Sequence, residues 1–271
     1  MSRTGGRGLA DHYHRSPKPM QNRMKALLRE GKAVFSCTIR TPHPNLAEIG
    51  GLAGYECIML DAEHGTISSD TLDAMILAVR ATGATPIVRV PGVERTLVKQ
   101  ALDHGADGIL FPHITSAEDA RAAVSLCKYP PQGRRGAGPG RPIDYGLGDA
   151  RAYLDQANDE VLVALMLEEP AAVEQLEAIA AVPGIDIFNM GPWDLSTAYG
   201  HPIETRHPLV LQALDKALEV GRKHGIHVGV SPEDDEHVKQ LYDMGARFFE
   251  SVNLEGFVAE RLVDYRRACQ P

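Results

Sequence analysis

The chain has 271 residues, of which 44% are hydrophobic, 24% charged and 6% aromatic. That is globular make-up, long enough to bury a core without disulfide or metal staples. A formal net charge of −8 and a pI of about 5.8 exclude nucleic acid and anionic membrane as main partners, because both repel an acidic surface.

No apolar stretch approaches the ~20 residues of a bilayer span, and no signal-peptide core opens the chain, so a cytoplasmic location is expected. The first 25 residues collect Arg3, Arg7, Arg15, Lys18, Arg23, Lys25 and two histidines. Residues 1–25 therefore read as a basic arm, mobile or touching another subunit, ahead of a single catalytic domain over 26–271. Cys37, Cys57, Cys127 and Cys269 are far apart and form no CxxC pair, which removes zinc-ribbon and redox-motif readings. Cys37 and Cys57 sit in apolar runs and read as reduced core residues.

In chain order, apolar runs at 33–39 (AVFSCTI), 56–61 (ECIMLD), 85–90 (TPIVRV) and 108–112 (GILFP) predict the first four strands. Those at 161–167 (VLVALML), 185–190 (IDIFNM), 226–230 (IHVGV) and 246–249 (ARFF) predict four more. Their near-continuous apolar character marks strands buried on both faces, as in a parallel sheet. Helical spacing is expected over 69–81, which opens with serine and aspartate, and over 115–128, 170–181 and 207–224. Gly54, Gly83, Gly105, Gly184, Gly225 and Gly245 precede strands at the positions of helix ends. Eight such units in about 250 residues match a (β/α)8 TIM barrel. The rival, a doubly wound sheet, would carry a glycine-rich phosphate turn after its first strand. Here that strand ends in TIRTPHPN, and GRRGAGPG (133–140) falls between the fourth and fifth.

In a barrel the working residues belong at the C-terminal strand ends. Asp61, Glu63 and His64 end the second strand, Arg89 the third, and His113 follows the fourth. Glu168 and Glu169 end the fifth, and Gly191, Pro192, Trp193 and Asp194 follow the sixth. Glu168 and Asp194 either hold a divalent cation such as Mg2+ or Mn2+ with water or substrate oxygens, or cap loops and pair with arginines. Arg89 is either a core-edge ion pair or a clamp for a carboxylate or enolate oxygen. His64 beside two acids suits proton transfer, or is a hydrogen-bonded structural histidine. Asp103 lies late in a helix, where its charge opposes the dipole.

The segments LDAEHG (60–65), PIVRV (86–90), KQALDHGADGILFP (99–112), YPPQGRRGAG (129–138), LMLEEP (165–170) and GPWDLS (191–196) occur in order. Together they resemble the HpcH/HpaI aldolases, the metal-dependent class II pyruvate aldolases, over residues 22–267. The nearest branch includes 4-hydroxy-2-oxo-acid aldolases, sugar-acid aldolases and macrophomate synthase. The resemblance implies a barrel that swaps its last helix between subunits and assembles as a hexamer, a trimer of dimers. It implies cleavage of a 4-hydroxy-2-oxo acid to pyruvate and an aldehyde through an enolate stabilised by Mg2+, Mn2+ or Co2+. Glu168 and Asp194 match the metal ligands, Arg89 the residue on the C2 oxygen, and His64 the acid/base histidine. Asp61 and Glu63 match supporting acids, Asp103 the aspartate that reaches a neighbouring subunit's site, and the amides of Gly191–Asp194 the carboxylate cradle. The chain departs from the family at Met166, where glutamine is common, and at Trp193, where a small residue stands. Ser231 takes the place of a leucine at the aldehyde pocket, and Glu250 that of a small or apolar residue. The alternatives are a macrophomate-synthase-like decarboxylase or C–C bond-forming enzyme on oxaloacetate, a citrate-lyase-β-like enzyme on acyl-CoA, and a catalytically idle barrel that binds a metabolite or serves as a structural subunit, its pocket plugged by Trp193.

Overall fold

The computed structural model describes residues 21–270. The chain runs α1 (Arg23–Arg29), β1 (Val34–Ile39), α2 (Pro44–Leu52), β2 (Cys57–Asp61), α3 (Ser69–Thr82), β3 (Thr85–Arg89), α4 (Arg95–His104), β4 (Gly108–Phe111), α5 (Ala117–Cys127). It continues as α6 (Ala150–Glu160), β5 (Leu162–Leu167), α7 (Pro170–Glu174), α8 (Leu176–Ala180), β6 (Ile187–Met190), α9 (Pro192–Ala198), α10 (Pro208–His224). It ends with β7 (His227–Val230), α11 (Asp235–Met244), β8 (Phe248–Asn253) and α12 (Leu254–Ala268). All neighbouring strands are parallel and β8 closes on β1, giving the eight-stranded barrel expected from the sequence.

The strands alternate their side chains between two cores. Outward residues such as Cys37, Ile58, Val88, Ile109 and Leu165 pack against the helices. Inward residues Val34, Cys57, Met59, Ile87, Leu110, Leu162, Ala164, Met166, Ile187 and Phe248 fill the barrel. Full burial on both faces is why these strands read as unbroken apolar runs. Serines cap two helix starts: Ser68, one residue before the serine expected to open its helix, accepts from the Thr71 N–H, and Ser116 accepts from the Asp119 N–H. Gly83, Gly105, Gly225 and Gly245 end helices with positive φ, a conformation glycine adopts without a side-chain clash.

The structure corrects the sequence reading in three places. Arg23 and Lys25, counted with the basic arm, belong to α1, and only residues 1–20 of that arm lie outside the described residues. Met24 and Leu28 of this helix join the barrel-filling cluster. Lys25 is buried, pairs with Asp186 at 2.7 Å and donates to the Asp159 carbonyl at 2.6 Å. Asn22 caps the helix and bonds the Asp107 and Glu160 carbonyls, so α1 plugs the end of the barrel opposite the strand C-termini. The helix expected over 170–181 is two short ones, parted at Gln175, whose ψ of 11° leaves the helical region. β8 runs four residues past Phe249, to Asn253.

Cys37, Cys57 and Cys127 are free and buried, and burial pushes the Cys37 and Cys127 thiols up to about 11 and about 12. No helix among the described residues is long and apolar enough to cross a membrane.

Met24→Ala should test the plug. Removing this fully buried side chain is expected to cost about 2–5 kcal/mol in urea unfolding, the usual range for buried Met→Ala. A loss under ~0.5 kcal/mol would show that α1 is not part of the core.

Candidate active site

Asp61 and Arg89 are the inward residues at the ends of β2 and β3 and are partners in the parallel register. Both are buried. The Arg89 Nε donates to Asp61 Oδ1 at 2.9 Å, and its Nη2 donates to Oδ2, a two-point pairing that fixes the guanidinium plane. The remaining acceptor capacity of Asp61 takes Arg40 Nε at 3.0 Å and the backbone N–H groups of Glu63 and His64 at 3.2 Å. Burial pushes the Asp61 carboxyl up, but Arg89, the His64 N–H and Arg40 outweigh it and hold it below the usual carboxylate range.

The turn after β2 explains LDAEHG. Its Asp61 gathers the N–H groups of the turn. At Gly65 a Cβ would lie 2.2 Å from the Asp61 carbonyl oxygen and 2.7 Å from that of Arg40, so only glycine lets the chain pass. The tight crossing swings Glu63 back over the barrel, 3.3 Å from Arg89 Nε. His64 stays half exposed, with Nε2 3.7 Å from Glu63 Oε2.

Glu168 follows β5 and is buried. It accepts the His113 N–H at 2.7 Å, which holds Oε1. The His113 ring stands between acids, with Nδ1 3.2 Å from Glu168 Oε1 and 3.6 Å from Glu169, and Nε2 3.3 Å from Glu63 Oε1. The backbone of His113 has φ +56°, a left-handed conformation that costs a side-chain-bearing residue energy and that the Glu168 bond sustains. On the far side, a Cβ at Gly191 would sit 2.8 Å from Glu168 Cβ and 3.3 Å from Oε2. Bare backbone therefore borders the free oxygen. Burial raises the Glu168 carboxyl; the His113 N–H and ring oppose this, and the charges of Glu63 and Asp194 add to the rise.

The structure thus gathers Asp61, Glu63, Arg89 and Glu168 at the barrel mouth, with Asp194 near enough for its charge to act on Glu168. His64 borders this group at Glu63 and Gly191 at Glu168, while Pro192 is the first residue of α9. Trp193 is 63% exposed and does not plug the barrel, which removes the reason for reading it as idle. Ser231 stands at the end of β7 and its hydroxyl meets Glu250 at 3.2 Å. Met166 lies below Glu168, its sulfur taking an N–H of Asn189 at 3.3 Å. Asp103 is not part of the group within one chain; it lies in α4, 3.6 Å from Arg135.

Arg40 is a site residue that sequence reasoning missed, although the strand-end rule applied to β1 would have found it. His113 was placed at a strand end but given no part, since its left-handed backbone has no sequence signal. Arg89 and Arg40 both pair with Asp61, and Glu63 shares Arg89 at 3.3 Å, while Glu168 and Asp194 have no lysine or arginine partner among the described residues. An all-oxygen, acid-rich donor set suits a hard divalent cation. A second group, His201, Glu204 and His207, has ligand atoms within 4.8 Å of one another. His207 Nδ1 accepts the Leu209 N–H as the cap of α10, which leaves the proton on Nε2 and no ring lone pair for an ion.

A parallel barrel with acids and an arginine at its C-terminal mouth is the architecture of an enzyme site. The HpcH/HpaI aldolase/citrate lyase family matches residues 37–258. The 4-hydroxy-2-oxovalerate aldolase of Novosphingobium aromaticivorans is 37% identical over 235 residues, covering 84% of this chain and 86% of the relative. An HpcH/HpaI aldolase/citrate lyase family protein from Burkholderia cenocepacia superposes with a TM-score of 0.83 at 34% identity, over 92% of this chain and 98% of its own. Macrophomate synthase superposes with a TM-score of 0.82 over 97% of this chain and 95% of its own, but at 24% identity, a likeness of fold alone. The protein is a carbon–carbon lyase of the aldolase type. It belongs to the HpcH/HpaI aldolase/citrate lyase family.

Asp61→Asn should show what the buried pair carries. Leaving Arg89 buried beside a neutral amide is expected to cost about 3–5 kcal/mol in chemical unfolding at neutral pH. Asp61 has its folded pKa lowered, so its contribution is present above the unfolded value of ~3.9 and lost as pH falls through the folded value. The stability gap between the two proteins should stay constant above about pH 5 and close only in stronger acid. A gap that closed near neutrality would contradict the assignment.

Proposed function

We propose that this chain cleaves a 4-hydroxy-2-oxo acid to pyruvate and an aldehyde and catalyses the reverse addition. The observation that carries this reading is the fixed Arg89 fork at the same barrel mouth as Glu168 and Asp194, two acids that no lysine or arginine among the described residues balances. Glu168 and Asp194 would hold a divalent cation, Mg2+, Mn2+ or Co2+. When bound, that ion supplies a Lewis acid for the oxygens of the oxo acid.

The chain's own groups do the rest. Arg89 is locked by Asp61, so its remaining N–H groups point one way and meet the C2 oxygen, where charge collects as the C3–C4 bond breaks. No reorganisation is needed at that moment, because Asp61 has already set the plane. Pro192 opens α9 and has no N–H, so the next two amides, of Trp193 and Asp194, lack a helical acceptor and receive the carboxylate. His64 moves the C4 hydroxyl proton at Nε2, with Glu63 beside that atom at 3.7 Å. His113 touches no step; its N–H holds Glu168 in place. Asp103 faces away from this group and serves the site of a second copy. That arrangement belongs to a hexameric trimer of dimers that swaps α12, a reading supported by the apolar side chains this helix leaves uncovered: Leu254 is its buried residue, while Phe257, Leu262 and Tyr265 are 44%, 66% and 74% exposed.

The test is pyruvate release from 4-hydroxy-2-oxo acids of varied chain length. Activity should vanish with chelator and return with Mn2+, Mg2+ or Co2+. His64→Ala should lower kcat by about 10²–10⁴ as an acid/base group does, and Arg89→Lys, which cannot keep both bonds to Asp61, by a similar factor on the order of 10²–10³. Full activity in chelator, or in His64→Ala, would refute the reading.

A further inference from the structure

The barrel interior is not uniformly apolar. Its lower layer holds Val34, Ile187 and Phe248, all in the inward cluster. Side chains alternate along a strand, so two residues on, Ser36, Asn189 and Glu250 also point inward. Gly229 faces the same way, for a Cβ there would lie 2.4 Å from Asn189 Oδ1 and 2.6 Å from Phe248 Cδ1. Ser231 is two residues further and its hydroxyl donates to Glu250 Oε2 at 3.2 Å. Asn189 is the register partner of Gly229, and Ser36 that of Glu250. These residues therefore form one polar half of the wall at that level, on the contiguous strands β6, β7, β8 and β1.

This half has unmet hydrogen-bonding capacity. Ser36 Oγ and Asn189 Oδ1 are buried without a partner. Glu250 and Ser231 are only partly buried, so they are open towards the mouth. Glu250 is near enough to Arg89 for its charge to act there. A carboxylate on the pocket wall is costly unless something donates to it. Ser231 supplies one donor for a group with about four acceptor positions. The wall thus calls for donors. Arg89 disfavours an ammonium group there and leaves a hydroxyl as the fitting donor.

Resting on the aldolase reading, we propose that Glu250, steadied by Ser231, accepts a hydrogen bond from a substrate hydroxyl and selects hydroxylated substrates over their deoxy analogues. That hydroxyl can sit on C3 of the oxo acid or on the carbon next to the aldehyde. The chemistry is the same, and experiment separates the two sources.

The test measures kcat/KM for aldol addition with the Mn2+-loaded enzyme. One pair compares hydroxypyruvate with pyruvate against a single aldehyde; the other compares lactaldehyde with propanal against pyruvate. In one pair the hydroxylated member should be favoured at least about tenfold, the effect of one hydrogen bond to a charged acceptor. Glu250→Ala should bring that ratio to about twofold or less. Glu250→Gln, whose amide oxygen still accepts, should keep part of it, which guards against a variant that merely folds poorly. No preference in the wild type for either hydroxylated member overturns the proposal. So does a ratio that survives Glu250→Ala while both rates fall together, since Glu250 would then act only through Arg89. Absence of turnover in every pair would sink the aldolase reading with it.

Discussion

The Asp61–Arg89 pair is the constraint on which the rest of the mouth is built. It sits where two neighbouring strands end in register, and it consumes the positive charge of Arg89 almost as soon as the chain supplies it. Burying two charges is costly, and their attraction offsets that cost only when geometry and further hydrogen bonds are good. Here Arg40 and two turn amides complete the shell. One consequence is a guanidinium with a fixed plane. The other is an excess of negative charge nearby, where the charges of Glu63 and Asp194 both act on Glu168. Burial and the charges of Glu63 and Asp194 make ionised Glu168 less favourable than a free carboxylate, and a bound cation would relieve that repulsion.

The backbone shares in this arrangement. Glycine is required at Gly65 and Gly191 because the turn after β2 and the edge of Glu168 leave no room for a Cβ. His113 adopts a left-handed conformation so that its N–H can reach Glu168. Such strain persists where the surroundings over-determine it. At the other end of the barrel α1 closes the interior with Met24 and Leu28. The molecule is thus dry below, half polar in the middle and acidic at the top.

Much of this was legible in the sequence, for a physical reason. Strands buried on both faces must be apolar throughout, so their runs marked them closely. β8 is the exception: its outer half carries Glu250, Ser251 and Asn253, which ended the apolar run although the strand goes on. α1 hid because the arginines and lysines around it outweighed Met24 and Leu28 in a count of charge. The clustering of Asp61, Glu63, Arg89 and Glu168 followed from their strand-end positions. What could not be read was contact: that Arg89 forks onto Asp61 and reaches Glu63, that His113 braces Glu168, and that Trp193 faces solvent. Those depend on turn geometry, which neighbouring elements set.

The central claim is that committing Arg89 to Asp61 leaves Glu168 and its neighbours as a cation site. Electron paramagnetic resonance of free Mn2+, titrated into metal-stripped protein, tests this directly. The account predicts one tightly held ion per chain, lost in Glu168→Gln while the fold is retained. Binding that is absent in the wild type, or unchanged in that variant, would contradict it.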